Sequence, residues 1–161
     1  MAHIPITIVG DPEELIRRIP ASTNCYKINP AEGNRLILSA SAFNDRDHKP
    51  SVDRRFMRQA LEECQNNATD GLVKIVAGDV RLIRTVQQID PTTNKAIDGT
   101  FHAFDPIHCP ICADSPDGLP ENPAHCQIES TPPVNASRFK KLKEALARIA
   151  QIHGWLIPPQ I

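Results

Sequence analysis

Proline is the residue that most constrains how this chain can fold. The sequence has 15 prolines among 161 residues, against only 7 glycines. One short stretch holds seven of them, namely Pro106, Pro110, Pro116, Pro120, Pro123, Pro132 and Pro133. Proline lacks a backbone N–H and disfavours helix in the residue before it. We therefore predict an irregular, acidic, Pro-rich segment over about residues 87–133, in which only the run Ala124 to Glu129 is regular, as an edge strand.

Two helices are predicted in the first half of the chain. The run Asp11-Pro12-Glu13-Glu14 combines an N-cap, a first-turn proline and acidic residues, and it predicts a helix from there to about Arg18. Val52, Phe56, Ala60 and Cys64 recur at helical spacing, which predicts a second helix over about Ser51 to Gln65, with Ser51 as its cap.

A third helix, at about Ser137 to His153, has the clearest pattern in the chain. Asn135 or Ser137 supplies its N-cap, and Gly154 follows its last residue. Its apolar stripe consists of Phe139, Leu142, Leu146, Ile149 and Ile152. Trp155 to Pro159 is then expected to fold back as an extended tail.

Strands complete the predicted fold. The run Arg35 to Phe43 predicts a central strand, Leu72 to Ala77 predicts another, and Val80 to Val86 fits a strand or a short helix equally well. These runs are too irregularly joined for repeated βαβ units. We therefore predict a single α+β domain over residues 1–161, with a small, mainly antiparallel sheet and two principal helices.

Charge excludes some functional classes. The chain has 18 basic and 19 acidic side chains, a net charge of −1 that does not indicate a nucleic-acid partner. No apolar run approaches the roughly 20 residues that cross a bilayer, so a cytoplasmic protein with no membrane partner is expected. Basic residues concentrate on the C-terminal helix, whose basic face either contacts phosphate or an acidic partner or is simply solvated.

Three of the five cysteines suggest a structural zinc ion. Cys109 and Cys112 have the C-x2-C spacing at which two thiolates reach one tetrahedral ion. His125 or Cys126 would be the third ligand, and His108 is the preferred fourth, with His102 and His48 as alternatives. The segment has little apolar surface, so a metal would supply the order that its own core cannot.

A simpler interpretation of the cysteines requires no metal. A buried, alternating strand would place Cys126 and Ile128 inward and His125 outward, and Cys109 and Cys112 would then be loop thiols. A redox role for the C-x2-C pair is disfavoured because the pair does not open a helix that would lower a thiolate pKa.

A polar cluster offers a catalytic hypothesis. His48 and His125 would act as acid and base near neutral pH, and Ser51 or Arg54 would hold a phosphate group at a helix N-terminus. The alternative is a solvated loop in which Ser51 merely caps a helix.

Several short motifs together resemble a small bacterial domain family without an assigned reaction. The motifs are Ser41-Ala42-Phe43, Pro50-Ser51-Val52-Asp53, Asn122-Pro123-Ala124-His125 and a closing Gly154-Trp155-Leu156. The resemblance spans about Leu36 to Pro159 and marks Ser51, Val52 and His125 as family features. Cys109 and Cys112 are an addition to that pattern, and Cys126 stands where the family has alanine.

Two functions of different classes follow. The first is a small accessory or interaction domain that binds a protein partner and is stabilised by zinc. The second is an enzyme acting on a nucleotide or nucleic-acid phosphate through His48 and His125. The enzyme requires these two histidines to meet in one concave pocket, whereas the binding domain does not.

Overall fold

A computed structural model describes residues 6–21, 24–84, 92–93, 102–116 and 118–160. Its eight strands are β1 (Glu14–Ile19), β2 (Tyr26–Asn29), β3 (Arg35–Leu38), β4 (Ser51–Arg54), β5 (Gly71–Val76), β6 (Ala103–His108), β7 (His125–Thr131) and β8 (Trp155–Ile157). Its two α-helices are α1 (Ala77–Arg81) and α2 (Ala136–His153).

Six strands form one sheet in the order β6-β7-β4-β1-β5-β8, and β2 and β3 form a separate hairpin. Every strand pair is antiparallel. The predicted α+β class with a mainly antiparallel sheet is therefore confirmed.

The main core lies between one face of the large sheet and α2. Leu142 and Leu146 of α2 are fully buried in the same cluster as Leu15 and Ile75 of the sheet. Asn135 caps α2 through its side chain, and Gly154 follows it at a φ of 76°, so the predicted boundaries are confirmed. Ile152, however, is 83% exposed and does not belong to the buried stripe.

The helix predicted from Asp11 is wrong, because Glu14–Ile19 forms β1. The strand pairs with β5 over its whole length and also with β4. Leu15 and Ile16 are both buried although their side chains point to opposite faces. Two-sided burial between two neighbouring strands outweighs the local helix-start signals of the Asp-Pro-Glu-Glu run.

The helix predicted over Ser51 to Gln65 is also wrong. Ser51–Arg54 is strand β4, which lies between β7 and β1. Single 3₁₀ turns follow at Arg55–Met57 and Leu61–Cys64. Phe56, which helical spacing placed in the core, is 59% exposed.

The strand predicted over Arg35 to Phe43 is shorter and is not central. It ends at Leu38, pairs only with β2, and is followed by a 3₁₀ turn at Ala40–Phe43. The ambiguous run from Val80 lies partly in α1, and residues 85–91 are outside the described part of the chain. The sequence also predicts turns at Asn94-Lys95 and Asp98-Gly99, and these residues are outside the described part as well.

The Pro-rich segment contains more regular structure than its composition predicts. Ala103–His108 forms β6 despite Pro106, since an edge strand tolerates a residue that cannot donate a hydrogen bond. The run at Ala124 to Glu129 does form a strand, but β7 lies between β6 and β4 and is not an edge. Beyond these strands, Ile111 and Asn122 form an antiparallel bridge that closes the intervening loop.

Candidate functional site

An open cleft of about 810 Å³ lies on the sheet face opposite α2. Side chains of β1, β4 and β7 form its floor, among them Ile16, Ser51, Asp53 and His125. Its walls come from the loop at 41–46, the segment at 58–66 and the loop at 111–122. The cleft is thus built from a rigid sheet and from three connections that are distant in sequence.

His125 is held in one orientation on this floor. Its Nδ1 lies 2.7 Å from the backbone carbonyl oxygen of Cys109, and the backbone N–H of Cys109 donates to the carbonyl of His125. A carbonyl only accepts, so Nδ1 carries the proton and Nε2 of the neutral ring has the free lone pair. No described residue hydrogen-bonds to Nε2, which leaves this nitrogen to a ligand in the cleft.

Asp53 lies opposite His125 in the ladder between β4 and β7 and organises a polar network. Its Oδ2 accepts from Nε and Nη2 of Arg58 at 3.1 and 2.9 Å, and its Oδ1 accepts from the amide of Asn122 at 2.8 Å. Arg58 also donates to Oδ1 of Asn122 at 2.8 Å. These mutual bonds fix three side chains and leave this part of the floor with no net charge.

Arg17 fixes one wall of the cleft. Its guanidinium donates to the carbonyls of Ala42, Asn44 and Ser51, and it pairs with Asp45 at 2.9 Å. The loop at 41–46 is therefore attached to β1 and β4 through one side chain.

Asp45 is the acid that completes this wall. Burial alone would raise the pKa of Asp45, but hydrogen bonds from the Ser51 amide and the Arg17 guanidinium outweigh it and hold the pKa below its ordinary value. Asp45 is therefore a stable anion at neutral pH, and it keeps Arg17 paired.

Cys64 lies at the border of the cleft and is buried. Burial, together with the neighbouring Asp53 carboxylate, raises the pKa of Cys64 to about 12. The thiol is therefore protonated at neutral pH and is not a nucleophile there.

The four residues of the catalytic hypothesis do not form one site. Ser51 and His125 share the cleft, where Ser51 pairs with Gln127, two residues along β7 from His125. His48 lies elsewhere, because its Nδ1 bonds the carbonyl of Val134 at 3.0 Å and its ring stacks on Phe139.

Arg54 is also outside the cleft. On β4, the side chains of Arg54 and Asp53 lie on opposite faces of the sheet. The Arg54 residue is 1% exposed. It forms a two-point ion pair with Glu13, at 2.5 and 3.0 Å, and donates to the carbonyls of Ile6 and Ile8. Its donors hold the N-terminal segment in place, and Arg54 is thus a structural residue rather than a phosphate ligand.

The predicted zinc ligands lie on both sides of the sheet. His108 pairs with Cys126 in the ladder, and both occupy the face that α2 covers, whereas His125 faces the cleft. Burial raises the pKa of Cys126 to about 12, and burial and nearby Arg54 lower the pKa of His108. Cys109 is half-buried and Cys112 is exposed.

Within the described ranges, no three His, Cys, Asp or Glu side chains are placed to hold one metal ion. Cys126 and Ile128 lie inward as the alternation of a buried strand predicts, and His125 is on the cleft face but is itself only 9% exposed. Zinc therefore stays a prediction, and an ion on Cys109 and Cys112 would recruit either His125 or the Cys126–His108 pair, but not both.

The sequence pattern indicates His125 and Ser51 but not the residues that position them. Arg58 and Arg17 carry no local signal, because their partners are distant in the chain. Asn122 did have one, since it begins the Asn-Pro-x-His motif. Its side-chain oxygen accepts from the amide of Ala124, which turns the chain into β7.

Comparison of the chain with protein-family models, with curated proteins and with solved structures found no match. The resemblance to a small bacterial domain family therefore stays a prediction. No helix in the described part of the chain is long and apolar enough to cross a bilayer.

Proposed function

We propose that the protein is a small accessory domain that binds a polar segment of a partner protein in the cleft. The observation that carries this proposal is the fixed, unpaired Nε2 of His125 on the floor of an open cleft. Most small-molecule pockets are enclosed and mainly apolar, whereas this cleft is open and its lining is polar and apolar in about equal parts. A peptide offers both N–H and carbonyl groups and suits such a surface.

The walls of the cleft supply further contacts. Arg46 and Glu121 line it, are exposed, and have no ion pair among the described residues. Leu119 adds a partly exposed apolar surface at 36%. Glu63 also lines the cleft, is exposed and has no ion pair among the described residues. One free cation, two free anions and one apolar side chain can select a short segment that carries complementary groups.

Charge argues against a polyanionic ligand. Three of the four arginines that line the cleft are paired, Arg17 with Asp45, Arg58 with Asp53 and Arg18 with Asp70. Only Arg46 remains without an acidic partner in the described ranges. The cleft therefore lacks the surplus positive charge that phosphate backbones require.

A random peptide library displayed on phage, selected against the folded protein, tests the proposal. His125→Asn places an amide near the position of Nδ1, and this keeps the bond to Cys109 while it removes Nε2. We expect His125→Asn and Arg46→Ala each to weaken selected peptides about tenfold or more, which is about 1.4 kcal/mol. Arg148→Ala, an exposed arginine on α2, is the matched control and should bind as the wild type does.

Two results would reject the peptide-binding proposal. One is peptides that bind equally well to the wild type, His125→Asn and Arg46→Ala. The other is a library that yields no binder from repeated selections while the protein stays folded.

His125 also supports a second candidate, an enzyme in which Nε2 is the acid or base. The fixed tautomer is the observation in its favour, since a base needs a defined lone pair. Hydrolysis of bis(p-nitrophenyl) phosphate and of a dinucleotide tests it. We expect His125→Asn to abolish any activity, and we expect His48→Ala to retain it because His48 lies outside the cleft. This candidate would be rejected if the wild type hydrolyses neither substrate faster than buffer does. It would also be rejected if the His125→Asn variant keeps the activity.

A further inference from the structure

The first turn of α2 contains a buried arginine without a partner. Arg138 is 5% exposed, and its Nε and Nη2 form no hydrogen bond. Among the described residues, no carboxylate forms an ion pair with it. A guanidinium stays protonated at physiological pH, so Arg138 buries a charge that nothing described compensates.

The unpaired atoms have the geometry of an anion-binding fork. Nε and Nη2 form one edge of the planar guanidinium, and this edge donates two parallel bonds to a carboxylate or a phosphate. Helical side chains lean toward the helix N-terminus, and this tendency favours a position of the Arg138 guanidinium near the start of α2. The N–H groups of the first turn and the helix dipole favour an anion at the same place.

Two more unsatisfied groups lie at the corner where β7 leads into α2. His102 is buried, and its Nδ1 bonds the carbonyl of Pro132, while its Nε2 has no partner. Ser130 lies near the end of β7, opposite Phe104, and its buried Oγ is also unpaired. Native proteins leave few buried polar atoms unsatisfied, so each of these atoms calls for a polar partner.

The corner is open to solvent on one side. Asn135, Ala136 and Ser137, which directly precede Arg138, are exposed. An ion can approach the first turn of α2 from this side, and the buried Nε and Nη2 of Arg138 must turn toward it to form their bonds. Burial lowers the pKa of Arg138, and no acidic group opposes this effect.

We propose that Arg138, at the N-terminus of α2, binds an oxyanion, a phosphate or carboxylate group of a small ligand. The site lies on the face of the sheet away from the cleft, and it is independent of the proposed peptide binding. Nε and Nη2 supply the bidentate contact, and the first-turn N–H groups that Asn135 does not cap complete the coordination.

Thermal unfolding with inorganic phosphate, with acetate and with chloride alone, at one pH and ionic strength, tests this site. Phosphate also stabilises proteins by exclusion from their surface, and this effect grows steadily with concentration. Binding of the ion to a specific site instead saturates. We expect this binding to raise Tm by about 3–6 °C when the ion concentration is ten times the Kd. A larger response to phosphate than to acetate identifies a phosphate site, and the reverse identifies a carboxylate site.

Variants separate a ligand site from a structural role. Arg138→Met should abolish the saturating response and should leave Tm in chloride unchanged or higher, because it removes an uncompensated buried charge. Arg148→Met, the same change at an exposed position of α2, should respond as the wild type does. Asp90 and Asp98, acids outside the described residues, are replaced by Asn to test whether the chain itself supplies the anion.

Three results would overturn the proposal. The first is a saturating response that Arg138→Met retains. The second is a wild type that shows no saturating response to either ion. The third is a large fall of Tm in chloride for Arg138→Met, together with an equal fall for Asp90→Asn or Asp98→Asn. The partner of Arg138 would then be a carboxylate of this chain.

Discussion

Asp53 on β4 lies directly opposite His125 on β7, and this pairing joins the two halves of the candidate site. Asp53 fixes Arg58 and Asn122 on one side. On the other side, His125 is fixed by the carbonyl of Cys109. A polar floor that is held by hydrogen bonds at both ends needs no rearrangement before it binds a ligand.

The buried stripe of α2 is tested by truncation. Leu146 is fully buried, so Leu146→Ala should lower the free energy of unfolding by about 2–5 kcal/mol in urea denaturation. Ile152→Ala, on the same helix but 83% exposed, is the control, and its effect should stay below about 0.5 kcal/mol. Equal losses in the two variants would contradict the orientation of α2.

The buried ion pair of Glu13 and Arg54 should be important for stability. Glu13→Gln leaves the nearly inaccessible guanidinium without its counter-charge, and we expect a loss of about 3–5 kcal/mol. Arg55→Ala removes an exposed pair with Glu14 at 3.6 Å and should cost less than about 1 kcal/mol. Urea denaturation at pH 7 measures both, and a negligible loss in Glu13→Gln would show that the pair is not buried.

Stability should depend on pH through Asp45. The pKa of Asp45 in the folded protein lies below its value of about 3.9 in the unfolded chain. At a pH between these two pKa values the unfolded chain binds more protons than the folded protein, so the free energy of unfolding rises with pH. Asp45→Asn should cost about 1.5–3 kcal/mol at pH 7, since the carboxylate accepts bonds from Arg17 and Ser51. The difference from the wild type should shrink as pH falls through the folded pKa.

Asp47→Asn is the control for that experiment. Asp47 is an exposed acid in the same turn, and no ion pair to it occurs among the described residues. Its variant should follow the wild type at every pH between about 2.5 and 7. A constant difference between Asp45→Asn and the wild type over this range would exclude the titration of Asp45 as the cause.

The cysteines should react with a thiol reagent in a fixed order. Cys112 is exposed and should react first, followed by half-buried Cys109. Cys64 and Cys126 are buried with pKa values of about 12, so they should react only when the protein unfolds. Mass spectrometry of timed alkylation in buffer and in urea gives the order, and early labelling of Cys126 would contradict the placement of β7.

Metal analysis of protein purified without an affinity tag tests the predicted zinc. If zinc is present, a chelator should speed the alkylation of Cys109 and Cys112 and expose the loop between β6 and β7 to proteolysis. Cys109→Ser with Cys112→Ser should do the same and leave α2 formed. Cys25→Ser, outside the cluster, is the control. The zinc site would be rejected if the protein contains no bound metal and the double variant is cleaved at the same rate as the wild type.

Local signals predicted α2 because everything that defines this helix lies within it. Asn135, Gly154 and the apolar spacing act over a few residues, and the tertiary structure changed only the last position of the stripe, Ile152. The α+β class also followed from the sequence, because it depends on the number and spacing of apolar runs rather than on their partners.

Tertiary pairing decided the rest of the fold. The Asp-Pro-Glu-Glu run favours a helix when isolated, but Glu14–Ile19 gains two neighbouring strands and burial on both faces as β1. Ser51–Arg54 is likewise a strand because β7 and β1 lie on either side of it. Strand pairing joins distant residues, and a pattern within one segment does not reveal its partners.

The candidate site, like the fold, was predictable from the sequence only in part. His125 could be identified from the sequence, because a histidine in a short motif beside cysteines suggests chemistry. Its role depends on contacts with residues far along the chain, such as Asp53, which meets Asn122 across 69 positions. The sequence alone determined which side chains could act, and only the packing of β4 against β7 decided that His125 faces the cleft while Arg54 and Cys126 face the core.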